Sequence, residues 1–100
     1  MTKHVILWKL REDLNAEEKQ KVKAEAKAAL EGLLGKIDGL SAITVNIEPL
    51  PSSNVDMMLD TTFTTPDALR GYSVHPAHVA VANTYVRPYT AVRSCFDYEI

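Results

Sequence analysis

The sequence is poor in the features that mark secreted and membrane proteins. It holds one cysteine, Cys95, in 100 residues, so no disulfide can form within the chain, which fits a reducing compartment. The N-terminal segment has only four consecutive apolar residues before Lys9, too few for the apolar region of a signal peptide. No apolar run approaches the roughly 18 residues needed to cross a bilayer. We therefore expect a cytoplasmic protein.

An excess of charge of one sign is also lacking. The chain has 11 Lys and Arg against 13 Asp and Glu, which gives a net charge of −2 and a pI near 5.9. A surface for nucleic acid or for an anionic membrane would need a basic patch. Neither partner is therefore expected. The one Gly-Lys pair, Gly35-Lys36, lacks the upstream glycine and the following Ser or Thr of a phosphate-binding loop.

The remaining composition is that of one small globular domain. The apolar fraction is 46% and the charged fraction is 24%, both ordinary values for a folded protein. At this length the core is near the lower end of what stabilises a single domain. No repeat, low-complexity tract or linker divides the sequence, so residues 1–100 are predicted to form a single domain.

The hydrophobic pattern alternates between strand and helix periodicity. Asn15 is predicted to cap the first helix, with Glu18 as its capping-box partner. Apolar positions at helical spacing run on to Ile37, and Gly35 and Gly39 supply the stop signals. Further predicted elements, in order, are strand 3–10 before this helix, strands 40–48 and 55–63, a kinked helical segment 66–89 and strand 92–99. The order β-α-β-β-α-β predicts an α+β, ferredoxin-like fold, in which helices cover one face of a four-stranded antiparallel sheet.

The first strand is apolar on both faces. Period-two geometry places Ile6 and Trp8 on one face, with His4 and Leu10, and places Val5 and Leu7 on the other. Two helices can cover only one face of the sheet, so the second face would expose a large apolar patch on a monomer. A second copy packed sheet to sheet under two-fold symmetry removes that exposure. We therefore predict a homodimer.

The segment Tyr72–His78 contains, within seven positions, a phenol and two imidazoles, which are side chains capable of acid–base chemistry. Pro76 fixes its own φ, suits the first turn of a helix and disfavours the helical region for the residue before it. His75 is therefore predicted at a junction between two helices, with His78 on the first turn of the second helix. Such a kink directs side chains that a straight helix would spread around its circumference.

Several segments together resemble the stress-responsive A/B barrel domain family of the dimeric α/β-barrel superfamily. These segments are Lys3-His4-Val-Ile-Leu, the strand end Thr62-Phe63, the pattern Tyr72-x-x-His75-Pro-x-His78-Val, and Phe96-Asp-Tyr98. The resemblance extends over essentially the whole chain, and it implies a ferredoxin-like subunit that pairs into a barrel. The family includes plant stress-associated proteins, bacterial proteins of undefined role and a plant polyketide cyclase.

The resemblance also implies a site. In that cyclase the pocket lies between sheet and helices, and its catalytic tyrosine and histidine occupy the places of Tyr72 and His78. Carried over, His78 would be a general base acting next to a carbonyl, and Tyr72 would hydrogen-bond the oxygen on which charge develops. The implied pocket residues are His4, Ile6, Trp8, Leu59, His75, Val81, Ala82 and Tyr89. Trp8 is bulkier than the aliphatic residue expected there, and the first helix offers Val22, Ala26 and Ala29 where the cyclase presents aromatic residues.

Each of these residues also has a structural interpretation. The imidazoles of His75 and His78 can cap the kink by bonding backbone groups left open at a helix start. His4 can be a partly buried histidine with a local hydrogen bond, and Tyr85 and Tyr89 can be core packing. Asp60 faces the predicted barrel, where a paired interfacial carboxylate is favoured over a weak cation site.

No metal and no cofactor are expected from the spacing of the ligating residues. His75 and His78 straddle a helix boundary, and no third ligand stands at a matching distance in the sequence. Cys95 lies in the middle of a strand with only Arg93 as a basic neighbour, so nothing marks it as a reactive thiol.

Two hypotheses of function follow from these residues. The first is a dimeric binding or stress-associated domain that holds a small apolar or phenolic molecule, or none, in the cleft between sheet and helices. The alternative is a cofactor-independent cyclase, lyase or isomerase that uses His78 as base and Tyr72 as oxyanion donor. A cofactor-independent monooxygenase is a weaker third candidate.

Overall fold

The antiparallel sheet predicted from the alternating pattern is present. The computed structural model describes residues 1–100, and its sheet has four strands in the order β2-β3-β1-β4. The elements along the chain are β1 Thr2–Leu10, α1 Ala16–Glu31, β2 Leu40–Asn46, β3 Met57–Phe63, α2 Pro66–Val74, α3 Pro76–Val81 and β4 Thr90–Glu99. A π-helical turn, Ala82–Val86, and a 3₁₀ turn, Arg87–Tyr89, connect α3 to β4. The predicted α+β, ferredoxin-like class is confirmed.

Strand β1 lies inside the sheet and pairs with a strand on each side. His4 is opposite Thr61 of β3 and opposite Asp97 of β4, and the register continues regularly to a bulge at Lys9 and Leu10. Because β4 pairs only with β1, it is an edge strand. The pairing brings residues from the two ends of the chain next to one another.

The helices cover one face of β1, β2 and β3. On that face Ile6 and Trp8 of β1 are buried with Leu59 and Phe63 of β3, as the alternation predicted. Helix α1 closes the core with its own apolar stripe, Val22, Ala26 and Leu30. Full burial of one such large aliphatic or aromatic side chain contributes about 1.5–3 kcal/mol, so this layer is the main source of stability.

Helix α1 begins as predicted and ends earlier than predicted. The Asn15 side chain accepts from the Glu18 N–H at 2.8 Å, and the Glu18 carboxylate accepts from the Asn15 N–H at 3.0 Å, which forms the capping box. The extension to Ile37 is wrong, since the helix ends at Glu31 and residues 32–39 form turns. Leu33 and Ile37 lie in those turns and are buried in the core. Their apolar spacing therefore matched that of a helix although no helix is present.

The opposite face of the sheet carries no helix. Val5, Leu7 and Met58 are half-buried there, and the β4 side chains Phe96 and Tyr98 are 68% and 41% exposed. Lys3 Nζ lies 2.5 Å from Asp60 Oδ1 on the same face. This ion pair agrees with the interpretation of Asp60 as a paired carboxylate.

No helix of the structure combines the length and the apolar character needed to cross a membrane.

Two glycines in the turns after α1 allow a direct test of this connection. Gly35 and Gly39 both have positive φ, 85° and 83°, but a Cβ at Gly39 would lie 2.4 Å from the Ala68 Cβ, whereas a Cβ at Gly35 meets nothing within 4 Å. Gly35→Ala should therefore cost only backbone strain, about 1–2 kcal/mol of unfolding free energy. Gly39→Ala should cost clearly more in urea unfolding. Equal losses for the two variants would contradict the close packing of α2 on this turn.

Candidate functional site

The kink between α2 and α3 is built by His75 and Pro76. His75 ends α2 and caps α3: its backbone is extended, with φ −65° and ψ 132°, and its Nδ1 accepts from the Ala77 N–H at 3.1 Å. Pro76 occupies the first helical position, where a missing N–H costs nothing. The predicted junction is present, and the His75 imidazole is engaged in capping it.

The kink stacks the two side chains predicted to be catalytic. The ring centroids of Tyr72 and His78 are 4.1 Å apart, at an interplanar angle of 33°, and Phe63 flanks Tyr72 at 5.0 Å. Tyr72 is 1% exposed and His78 is half-buried. Tyr72 Oη and His78 Nδ1 are both out of contact with solvent, and neither has a hydrogen-bond partner.

Burial sets the protonation of both groups. It raises the pKa of Tyr72 to about 12, so the phenol stays protonated. Burial is the largest influence on the pKa of His78 and lowers it below 6.5; the Ser73 backbone acts in the opposite direction, and the positive charges of Arg87 and Arg93 add to the effect of burial. At neutral pH the pair therefore presents a phenol that can donate and an imidazole that is uncharged.

His4 lies beside this pair on β1. Its ring centroid is 6.2 Å from that of Tyr72, and its Nδ1 is 2.5 Å from Asp97 Oδ1. The Thr61 hydroxyl donates to the His4 carbonyl at 2.6 Å. His4 is thus a buried histidine that is hydrogen-bonded to Asp97 on the neighbouring strand β4, and its ring is part of the same aromatic cluster as Tyr72 and His78.

The other implied pocket residues lie in the core next to this cluster. Ile6, Trp8, Leu59 and Ala82 are buried, and Val81 and Tyr89 pack against the core from its margin. No cavity is lined by Ile6, Trp8, Leu59, Val81 or Ala82, and Tyr89 lines a surface depression of about 220 Å³ with Leu14 and α1. The structure therefore brings Tyr72, His78 and His4 together and fills the space beneath them.

A groove that sequence reasoning missed lies between α2 and β4. Its volume is about 470 Å³, and its floor is His4. The walls come from α2 and from the helix-side row of β4, namely Leu69, Arg70, Ser73, Arg93, Cys95, Asp97 and Glu99. No helix covers β4 on this side, so the row is exposed. The period-two alternation of β4 was the available signal, but it could not reveal that the helices stop short of the edge strand.

Comparison with known proteins defines the family. The model of the stress-responsive A/B barrel domain matches residues 2–100. A dimeric protein of unknown function from Bacteroides fragilis, with a ferredoxin-like fold, is 34% identical, covering 99% of this chain and 95% of that one, with a TM-score of 0.92.

More distant structures share the fold. A dimeric ferredoxin-like protein of unknown function from Thermobifida fusca is 21% identical over 99% of this chain and 90% of its own, with a TM-score of 0.80. A family protein from Mesorhizobium loti is 20% identical over 99% and 95% of the two chains, with a TM-score of 0.74. Among curated protein sequences, none matches this chain significantly.

The lowered pKa of His78 predicts acid sensitivity. The unfolded state takes up a proton near pH 6.5 and the folded state resists it, so the stability linked to His78 is complete above this pH and is lost as the pH falls. His78→Gln should therefore lose less unfolding free energy than the wild type between about pH 7.5 and about pH 5.5. Urea unfolding at the two pH values measures the difference.

His75→Asn is the matched control for this measurement. Asparagine keeps a capping side chain at the start of α3 and leaves His78 in place. The loss of unfolding free energy at acid pH that is due to His78 should therefore persist in this variant. Identical losses in the wild type and His78→Gln would show that protonation of His78 is not coupled to folding.

Proposed function

Because this chain belongs to the stress-responsive A/B barrel domain family, we propose that it acts as a homodimeric binding protein for a small apolar or phenolic molecule. The binding cleft of each copy lies beside Tyr72 and His78, on the helix side of its own sheet. Each copy therefore holds its ligand independently of the surface that joins it to its partner.

The observation that supports this proposal is the pair of unpartnered polar atoms, Tyr72 Oη and His78 Nδ1. Leaving one buried polar group without a hydrogen bond costs about 1–3 kcal/mol. Folded proteins rarely retain such groups without a role. A ligand that carries a hydroxyl or carbonyl group would supply the missing partners, and its apolar body would contact the surrounding rings.

Entry of the ligand requires a local movement at α3. Both polar atoms are shielded from solvent, and the side chains beneath them fill the core. Helix α3 is only six residues long and is followed directly by the π-helical turn Ala82–Val86. Such π-helical turns are rare and are frequent at functional sites. A shift of this short helix away from β1 would open the cleft without disturbing α1.

The partner surface in this proposal is the bare face of the sheet. Val5, Leu7, Met58, Phe96 and Tyr98 form an apolar surface with no helix against it. The relatives from Bacteroides fragilis and Thermobifida fusca are dimeric. Burial of a patch of this kind is the usual driving force for a two-fold symmetric interface.

A cofactor-independent enzyme is the second candidate, and the protonation states of the pair favour it. The uncharged imidazole of His78 is the form that accepts a proton, so it can act as general base next to a carbonyl. The protonated phenol of Tyr72 can donate to the oxygen on which enolate charge develops. Cyclisation, lyase and isomerase reactions of β-keto compounds share proton abstraction next to a carbonyl as a step, and that step uses these two roles.

Tyr72→Phe tests the cleft. Removing the unpartnered hydroxyl should raise the unfolding free energy by about 1 kcal/mol and weaken binding of phenols about tenfold, because one hydrogen bond to the ligand is lost. Urea unfolding and NMR titration with a panel of phenols and β-keto compounds measure the two effects. Turnover of a β-keto member that disappears in His78→Gln would identify the enzyme, and binding without turnover would identify the binding protein.

Tyr85→Phe is the control for the cleft. Tyr85 is half-buried and packs against the same core, but its hydroxyl is not among the buried unpartnered atoms. This variant should change neither stability nor binding appreciably. A Tyr72→Phe protein that is less stable than the wild type and binds the panel equally well would overturn the proposed cleft.

Phe96→Asp tests the proposed interface. A charge placed in the middle of a desolvated apolar surface is strongly unfavourable, so the variant should be monomeric at concentrations where the wild type is a dimer. Sedimentation or light scattering reports the mass. Leu34→Asp, at a 51% exposed position in the turn after α1, should stay dimeric. A wild type with the mass of one chain would contradict self-association.

A further inference from the structure

Three side chains with metal-ligating atoms meet on the floor of the groove between α2 and β4. His4 Nδ1 is 2.5 Å from Asp97 Oδ1 and 3.8 Å from Cys95 Sγ, and the sulfur is 3.4 Å from the same carboxylate oxygen. All three atoms lie within 4.8 Å of one another. Sheet register causes this meeting, since Asp97 is directly opposite His4 and Cys95 stands two positions earlier on the same face of β4.

The geometry excludes a nucleophilic Cys-His-Asp arrangement. A triad needs one ring nitrogen facing the nucleophile and the other facing the carboxylate. Here the thiol and the carboxylate both approach His4 Nδ1. One nitrogen cannot accept the thiol proton and be oriented by the carboxylate at the same time.

Close approach of three ligating atoms to one another is instead what a metal ion requires. We propose that His4, Cys95 and Asp97 form a three-ligand site for a divalent ion of the zinc class. An imidazole nitrogen, a thiolate and a carboxylate form a mixed N, S and O donor set, which suits Zn²⁺ and does not suit Mg²⁺ or Ca²⁺.

The distances fit such a site with one adjustment. Tetrahedral zinc with ordinary bond lengths separates its ligand atoms by about 3.3–3.6 Å. The two distances from Cys95 Sγ, 3.4 and 3.8 Å, are close to that range. Only His4 Nδ1 and Asp97 Oδ1 must move apart, by about 0.8 Å. The proton that joins them and the proton of the Cys95 thiol are both released to solvent when the metal binds. Because Asp97 is exposed on an edge strand, its side chain is free to make this movement.

The groove supplies an entry path and an open fourth position. Cys95 and Asp97 are exposed, while His4 is buried beneath them and anchors the site. The groove above the three ligands, about 470 Å³ in volume, can hold water or an anionic group of a ligand. Three protein ligands with one open position is the arrangement of reactive rather than purely structural zinc sites.

The test uses Co²⁺ and Zn²⁺ on the untagged, metal-stripped protein in an inert atmosphere. Co²⁺ should bind one ion per chain and show both the absorption of a tetrahedral ion and a sulfur-to-cobalt charge-transfer band. Competition with a chromophoric chelator should give a Zn²⁺ affinity that Cys95→Ser and Asp97→Asn each lower by at least about tenfold. Bound Zn²⁺ should also raise the thermal midpoint of the wild type and not that of Cys95→Ser.

Ser94→Ala and Asp38→Asn are the controls. Ser94 lies on β4 facing the other side of the sheet, and Asp38 lies in the turns after α1, so both variants should bind like the wild type. Circular dichroism confirms that every variant folds. The proposal is overturned if the wild type shows no sulfur-to-cobalt band, or if Cys95→Ser binds Zn²⁺ with unchanged affinity and stoichiometry, because the ion would then be held elsewhere.

Discussion

Backbone pairing of β1 with β3 on one side and with β4 on the other is the constraint on which this molecule depends. It places the first strand inside the sheet, and alternation along that strand decides which side chains meet the helices. A slip of one residue would exchange Ile6 and Trp8 with Val5 and Leu7, and would turn His4 away from Tyr72. Both the core and the candidate site therefore follow from one register.

The kink between α2 and α3 is the second constraint on the site. The side chains that it directs inward lower the stability of the fold, although its backbone does not. His75 and Pro76 are well placed as cap and first helical residue, so the backbone of the junction is satisfied. The side chains that the junction directs inward, Tyr72 and His78, keep polar atoms without hydrogen-bond partners in a largely apolar layer. The backbone here satisfies its hydrogen bonds, whereas two buried side-chain atoms do not. This combination is expected where function, rather than packing, determines which residues are present.

The two faces of the sheet differ in chemical character. The bare face, with Phe96 and Tyr98, is apolar and suited to a second copy, and the similar proteins from Bacteroides fragilis and Thermobifida fusca are dimeric. The helix face holds the aromatic cluster of Tyr72 and His78 and, beyond the reach of the helices, the polar groove over Cys95 and Asp97. Alternation along β4 thus places Phe96 and Tyr98 on the bare face and places Cys95 and Asp97, the ligands that we propose, in the groove.

Local patterns in the chain were sufficient to predict much of this architecture. The element order, the Asn15 capping box, the two faces of β1 and the junction at His75 all depend on contacts within a few residues, so composition and spacing reveal them. The end of α1 was not predictable in this way, because Leu33 and Ile37 reach the core from turns and preserve helical spacing without a helix.

What only the tertiary structure decided is which distant residues meet. His4 contacts Asp97 and Cys95, which are more than ninety positions away in the sequence. Tyr72 is shielded from solvent because Phe63 and His78, which lie on other elements, pack against its ring. Spacing along a chain carries no information about such meetings. Strand register and helix placement set them, and both are determined by burial of the whole core at once.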